Sequence, residues 1–250
     1  MVLDIIKKDS GTYKWFDGFY GDNARKHLGA LLETPNFYPY KHAVDNLELV
    51  AHIKKVNNPR IDELLEIVNL AHRKKSPFNS YSLGMKQRLG IAGAMIGNPD
   101  VLIFDEPTNG LDPQGIAEVR NTITDIAKQG KTIIMASHIL DEVEKVCSHV
   151  SIIKNGNLLA SGTVGSIISD DVQVEIAATH LDSLKTMLAN DSRISQLTEK
   201  DGKLFLLVDE DFSTAEINQM AHNNGITLTH LVAKAKSLES EFLEITNKAN

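Results

Sequence analysis

The sequence predicts an α/β chain in two parts: a parallel-sheet domain with a helical insertion, followed by a small α+β module. Three observations carry this. Two short apolar runs, Val101-Leu102-Ile103-Phe104 and Thr132-Ile133-Ile134-Met135-Ala136, flank a helical stretch around Ile116 to Ala127, the pattern of buried parallel strands joined by a crossover helix. Ahead of the first run, from Leu47 to about Pro99, apolar residues recur at helical spacing. Beyond Ser169-Asp170-Asp171 the texture shifts to shorter, alternating elements.

The elements follow in order. Leu47, Val50 and Ile53 mark one helix, and Ile61, Leu64, Leu65 and Val68 a second at i, i+3, i+4, i+7. Ser82 is a natural N-cap for a third, through Leu89, Ile91 and Met95. After the two buried strands come Val150–Ile153 and Leu158–Ala160, joined through Lys154-Asn155-Gly156-Asn157, whose Asn-Gly step predicts a hairpin. In the last part Val172, Val174 and Ile176 alternate with Gln173 and Glu175. A helix (Leu181, Leu184, Leu188), strands near Ile194–Leu197 and Leu204–Val208, a helix (Ile217, Met220, Ala221), a strand (Ile226–Leu231) and a final helix (Leu238, Phe242, Leu243) complete a βαββαβ, ferredoxin-like order.

Composition excludes several classes. The 250 residues suffice for one or two domains, and 42% hydrophobic with 24% charged residues is ordinary globular usage. A net charge of −7 argues against broad binding to nucleic acid or an anionic membrane surface. The single cysteine, Cys147, cannot form an internal disulfide and reads as a half-buried apolar residue. No basic leader and no run of about 18 apolar residues is present, which points to a soluble, cytosolic protein.

The chemistry gathers around the two parallel strands. In Val101 to Thr108 an apolar strand delivers Asp105 and Glu106 to the C-terminal edge of a parallel sheet, where open α/β folds hold ligands. The first acid suits a Mg²⁺ shell and the second can orient and deprotonate a water. Upstream, Tyr81-Ser82-Leu83-Gly84-Met85-Lys86-Gln87-Arg88 opens a helix whose N-terminal N–H groups can meet an anion. Downstream, Asn109-Gly110-Leu111-Asp112-Pro113 turns into the next helix, and Ser137-His138 ends the second strand at the same edge.

Taken in order, Ser-x-Gly-x-x-Gln-Arg, apolar-Asp-Glu-Pro-Thr, Gly-Leu-Asp-Pro and Ser-His resemble the nucleotide-binding subunit of ATP-binding cassette (ABC) transporters, over the whole chain. The resemblance implies a P-loop NTPase-like ATPase domain over residues 1–167, with a helical subdomain at about 41–97, and an accessory domain over 171–250. It implies ATP and Mg²⁺ as ligands, with Asp105 the Walker B acid on Mg²⁺ and Glu106 the general base. His138 would be the switch histidine at the γ-phosphate and Asp112 the D-loop acid at a dimer interface. Ser82, Leu83, Gly84, Met85 and Gln87 would form the signature turn on nucleotide held by the opposite subunit. Glu33, in Leu31-Leu32-Glu33-Thr34-Pro35, stands where the family usually has its Q-loop Gln and would reach Mg²⁺ through water. That Glu, and an ending like Ser237-Leu238-Glu239-Ser240-Glu241-Phe242-Leu243, are similar to the branch that exports peptide antibiotics such as bacitracin.

The signature also departs from the usual Leu-Ser-Gly-Gly-Gln, and the phosphate-cradling G-x-x-x-x-G-K-[ST] is absent: Gly130-Lys131-Thr132 has Asp125 where the first Gly belongs and enters a strand instead of leaving one. Met1 to Lys8 resembles the tail of the helix that follows that loop, so the chain is expected to begin just after its own P-loop, with a central strand missing and an apolar sheet edge unpaired. The expected role is the ATPase subunit of a membrane exporter: a homodimer or heterodimer, docked on an integral-membrane permease subunit at the inner face of the membrane, plausibly through Phe37-Tyr38-Pro39-Tyr40, with no nucleic-acid partner. The alternative is a non-hydrolysing partner that lends Ser82 and Gly84 to a complete subunit. Soluble relatives in translation or DNA repair carry two cassettes or long coiled-coil insertions, and neither is found here. His180, His222 and His230 are scattered and read as solvated or packed.

Overall fold

The computed structural model describes residues 3, 5–168, 171–208 and 212–248. The chain divides into two compact units, Met1–Ile139 and Leu140–Asn250.

In the first unit, short 3-10 turns at Phe16–Gly18 and Gly21–His27 lead to β1 (Leu28–Leu31), then α1 (Ala43–Lys54), α2 (Ile61–Ile67), α3 (Leu83–Met95), β2 (Val101–Asp105), α4 (Pro113–Lys128) and β3 (Thr132–Ala136). The strands form a parallel sheet in the order β1-β2-β3, with Leu31, Phe104 and Met135 in register, so all three C-terminal ends open on one edge. One face is closed: Leu102 and Phe104 are fully buried. α3 lies so near β1 that a Cβ on Gly29 would fall onto the Ala94 carbonyl, and one on Gly90 would sit 2.5 Å from Leu31. That approach is why β1 carries a glycine, and why so short a strand escapes detection by apolar periodicity. The other face is open, with Ala30 exposed and Ile134 48% exposed, although parallel sheets normally cover both. Among the described residues β3 pairs only with β2.

Two expectations need correction. Of the N-terminal segment read as a helix tail, Met1, Val2 and Asp4 lie outside the described residues, and Ile5 to Lys8 are not helical, with Ile5 and Ile6 about 70% exposed. A single turn with no surface to pack against does not offset helix nucleation. Ile53, counted in the apolar face of α1, is 78% exposed. The buried side of α1 is Ala43, Asn46, Leu47 and Ala51.

The second unit holds α5 (Leu140–Val146), β4 (His149–Lys154), β5 (Asn157–Thr163), α6 (Val164–Ile167), β6 (Val172–Ala178), α7 (Leu181–Ala189), β7 (Ile194–Lys200), β8 (Lys203–Val208), α8 (Thr214–Asn223), β9 (Leu228–Ala235) and α9 (Leu238–Lys248). β4 and β5 form the expected hairpin, and its two turn residues Asn155 and Gly156 have φ of 51° and 78°, as a type I′ turn requires. The remaining strands form an antiparallel sheet in the order β7-β8-β6-β9, the ferredoxin-like arrangement. Its inner face, Val174, Ile176, Leu204, Leu206 and Val208, packs with Leu184 and Leu188 of α7 and Ile217 of α8, each less than 2% exposed. Each such side chain is worth about 1.5–3 kcal/mol of burial. α9 packs on α5 and α6. The Glu144 carboxylate accepts from Leu238 N–H at 2.8 Å, and Lys154 Nζ donates to Thr246 O at 2.8 Å. Lys236, nearly buried, pairs with Glu241 and Glu244, each at 3.2 Å.

Candidate active site

β2 ends in Asp105, whose carboxylate stands at the exposed edge, and the chain turns sharply at Glu106, which adopts φ of 48°. A non-glycine residue in this region costs about 1–3 kcal/mol and is retained where the surroundings enforce it. Here the enforcing bond is Glu106 N–H to Ala136 O, 2.9 Å, which extends the β2–β3 ladder by one residue. The strained turn aims the Glu106 carboxylate at the end of β3, where Oε2 lies 2.8 Å from His138 Nδ1 and 3.4 Å from His138 N. Glu106 is about three-quarters buried while His138 is 64% exposed, so the histidine is the solvent-facing member of the pair.

Glu33 follows β1 at the same sheet edge and is exposed. Its carboxylate accepts from Asn109 Nδ2 at 2.8 Å, and its main-chain oxygen accepts from Gln87 Nε2 at 2.8 Å. Gln87 is thereby 1% exposed. Expected among the nucleotide-binding residues, it faces the interior and ties α3 to the Glu33 loop.

Ser82 caps α3, its hydroxyl accepting from Met85 N–H at 3.3 Å, and Asp112 caps α4, accepting from Gly115 N–H at 2.9 Å with Pro113 in the first turn. The two helix starts meet: a Cβ on Gly84 would sit 3.4 Å from Gly115 Cα. Between them lies a groove of about 400 Å³ with Ser82, Leu83, Gly84, Met85, Asp112 and Gly115 in its walls. None of Asp105, Glu106 and His138 lines it. The sequence-predicted residues therefore fall into two groups, an acidic edge (Glu33, Asp105, Glu106, His138) and a helix-start groove (Ser82 to Met85, Asp112).

Among the described residues no three His, Cys, Asp or Glu side chains gather to hold a metal by themselves. Asp105 and Glu33 are hard oxygen donors, which fits a magnesium ion that completes its shell with water and phosphate oxygens. Two residues escaped the sequence reading. Asn109 is one. Asn46, 1% exposed inside α1, is the other: it accepts from Tyr38 N–H at 2.9 Å and donates to Tyr38 O at 3.1 Å and His42 O at 3.1 Å, setting the loop after Glu33. An asparagine amid an apolar helix face is a signal that could have found it.

The parallel sheet with paired acids at its carboxyl edge defines an α/β domain whose ligand edge is that of open α/β folds. Residues 3–109 match the family described as ABC transporter. The chain is 31% identical to the bacitracin transport ATP-binding protein BcrA of Enterococcus faecalis, over 98% of this chain and 81% of that protein. It is 39% identical to the lantibiotic transport ATP-binding protein SrtF of Streptococcus pyogenes, over 64% of this chain and 69% of that protein. Among solved structures it resembles cbiO1 of Clostridium perfringens, part of the ABC transporter complex cbiONQ, with a TM-score of 0.58 and 29% identity over 64% of this chain and 69% of that chain. The chain belongs to the ATP-binding subunits of ABC transporters, in the bacitracin-like branch. Among the described residues no helix is long and apolar enough to cross a membrane.

Proposed function

We propose that the chain is the ATPase subunit of an exporter of peptide antibiotics, peripheral on the inner face of the membrane, and that it acts as a dimer with each active site built from two subunits. The observation that carries the ATPase reading is the strained Glu106 turn, which brings a carboxylate to His138 next in sequence to the exposed Asp105, and the similarity to bacitracin and lantibiotic transport proteins supports the exporter reading. ATP with Mg²⁺ supplies the electrophilic phosphorus and neutralises charge on the phosphates. Asp105 would hold the cation directly and Glu33 through water. Glu106 would take the proton from the attacking water, and His138 would keep that carboxylate aimed and reach the γ-phosphate. The groove of Ser82, Leu83, Gly84 and Met85, standing apart from these four residues, suits nucleotide held by the opposite subunit, with Asp112 at the shared interface. Gln87 would act by anchoring the Glu33 loop to α3.

These 250 residues hold no phosphate-cradling loop, and backbone N–H groups with a lysine supply most direct phosphate binding in this class. We propose that a strand and P-loop encoded upstream complete the domain. The side of β3 that pairs with no strand among the described residues, and the exposure of Ala30 and Ile134 on one face of the sheet, support this. The ATPase domain would span about 1–167 and the accessory domain 171–250, α9 returning to pack on α5 and α6. Exposed Tyr38 and Tyr40, on the loop set by Asn46, would meet an integral-membrane permease subunit.

The test is Mg²⁺-dependent ATPase activity of this chain and of a form extended upstream in its reading frame. Only the extended form should bind and hydrolyse ATP. The second reading, a non-hydrolysing partner that lends its groove to a complete subunit, rests on the separation of groove from acidic edge. It becomes the better one if no P-loop is encoded upstream and both forms are inert.

A further inference from the structure

Glu33 is exposed, flexible in principle about its side-chain torsions, and yet held at two points: its main-chain oxygen by buried Gln87 and its carboxylate by Asn109. The second contact spans 76 residues of sequence. Asn109 is itself anchored, because its N–H donates to Glu106 O at 3.2 Å in the same turn that holds Glu106 at positive φ. One residue thus bridges the two acids at the edge, by main chain to Glu106 and by side chain to Glu33. Its chemistry suits the task. An amide donor orients a carboxylate without neutralising it, whereas Lys or Arg would compete with a cation for the same oxygen. Among the described residues only Oε1 of Glu33 is engaged, so Oε2 and the full charge stay available there.

We propose that Asn109 is the positioning residue for Glu33, fixing its carboxylate at the sheet edge that also carries Asp105 and making its placement follow the Glu106 turn. Through Gln87 the same loop follows α3, so a shift at the Ser82 end of that helix moves Glu33 as well. This rests on the reading of Asp105 and Glu33 as cation-holding residues, and the experiment separates the two ideas.

Asn109→Ala, Asn109→Asp, Glu33→Gln, Glu33→Gln/Asn109→Asp and Asp105→Asn are compared with the parent by the melting temperature of the full chain, and by Mn²⁺ binding of the form extended upstream, with a non-hydrolysable ATP analogue supplying the phosphate oxygens, followed through the electron paramagnetic resonance of the free ion. Asn109→Asp sets two carboxylates against each other and should lower Tm by about 2–4 °C. Glu33→Gln should leave Tm near the parent, and the double variant, with donor and acceptor exchanged, should recover most of the loss. Asn109→Ala should weaken Mn²⁺ binding about tenfold with little change in Tm. Recovery in the double variant together with weakened Mn²⁺ binding supports the proposal. Additive Tm shifts overturn it, and so does Mn²⁺ binding that Asp105→Asn abolishes but Asn109→Ala leaves intact. If neither substitution alters Mn²⁺ binding, the cation reading of the edge fails, and recovery or its absence alone decides whether Asn109 holds Glu33.

Discussion

The two sheets of this molecule solve the same packing problem to different degrees. The antiparallel sheet β7-β8-β6-β9 needs one covered face and has it, with α7 and α8 closing over Val174, Ile176, Leu204 and Leu206. The parallel sheet β1-β2-β3 needs two and has one, with Leu102 and Phe104 buried on one side and Ala30 and Ile134 exposed on the other. The closed sheet carries no strained non-glycine residue beyond hairpin Asp201, while the open one ends in Glu106 at positive φ. Stability and chemistry are thus segregated. The regular module sustains itself by alternation, and the acidic edge is positioned by polar contacts between residues far apart in sequence, such as Glu33 and Asn109.

The largest effect expected from breaking this contrast is chemical. In an ATPase completed upstream, Glu106→Gln should lower turnover about 10²–10⁴-fold with the fold retained, since it removes the proposed general base and leaves the turn. Next comes a pair of core substitutions, one per unit, followed by calorimetry. Ile176→Ala, at a fully buried position of the closed sheet, should cost about 2–5 kcal/mol in the second unit's transition. Arg88→Ala should cost about 2–4 kcal/mol in the first unit's, because Arg88 is 5% exposed and its guanidinium holds Val68 O at 2.8 Å, Asn69 O at 3.0 Å and Glu118 at 2.8 Å. A single merged transition in both variants would erase the contrast.

A pH series sharpens it further. Hydrogen bonds from Arg193 pull the Asp191 carboxyl from 3.8 to about 2. A folded-state pKa below the unfolded value means that the stabilisation is complete above about pH 5 and is lost as pH falls through 4 toward 2. Asp191→Asn should flatten that part of the second unit's acid-melting curve. The smallest effect is local: Gly156→Ala, at φ of 78°, should cost about 1 kcal/mol and leave both transitions otherwise unchanged.

Most of the architecture was legible before any coordinates, because it rests on local rules. Periodicity located α2, α4, β2, β3 and every element of the βαββαβ module, and Ser82, Asp112 and the Asn155-Gly156 turn marked their own ends. The acidic edge was legible too, since a strand followed by Asp105 and Glu106 can only deliver them to the sheet's carboxyl end. β1 was not: four residues with Gly29 and Ala30 among them carry no strand pattern, and only the close approach of α3 makes a glycine necessary there. The outward turn of Ile53 also depends on which side of α1 its neighbours leave open.

What the sequence determined by itself was the order of elements, their faces and the identity of the charged residues, because torsional preference and apolar spacing act within a few residues along the chain. What the tertiary structure decided was which of those residues meet. Gln87 reaches Glu33 across 54 residues and Asn109 reaches it across 76, and His138 meets Glu106 across 32. The Asn109 and His138 contacts exist because parallel strands in register bring loops distant in sequence to one edge, and the Gln87 contact because α3 packs against β1; no short-range preference encodes either arrangement.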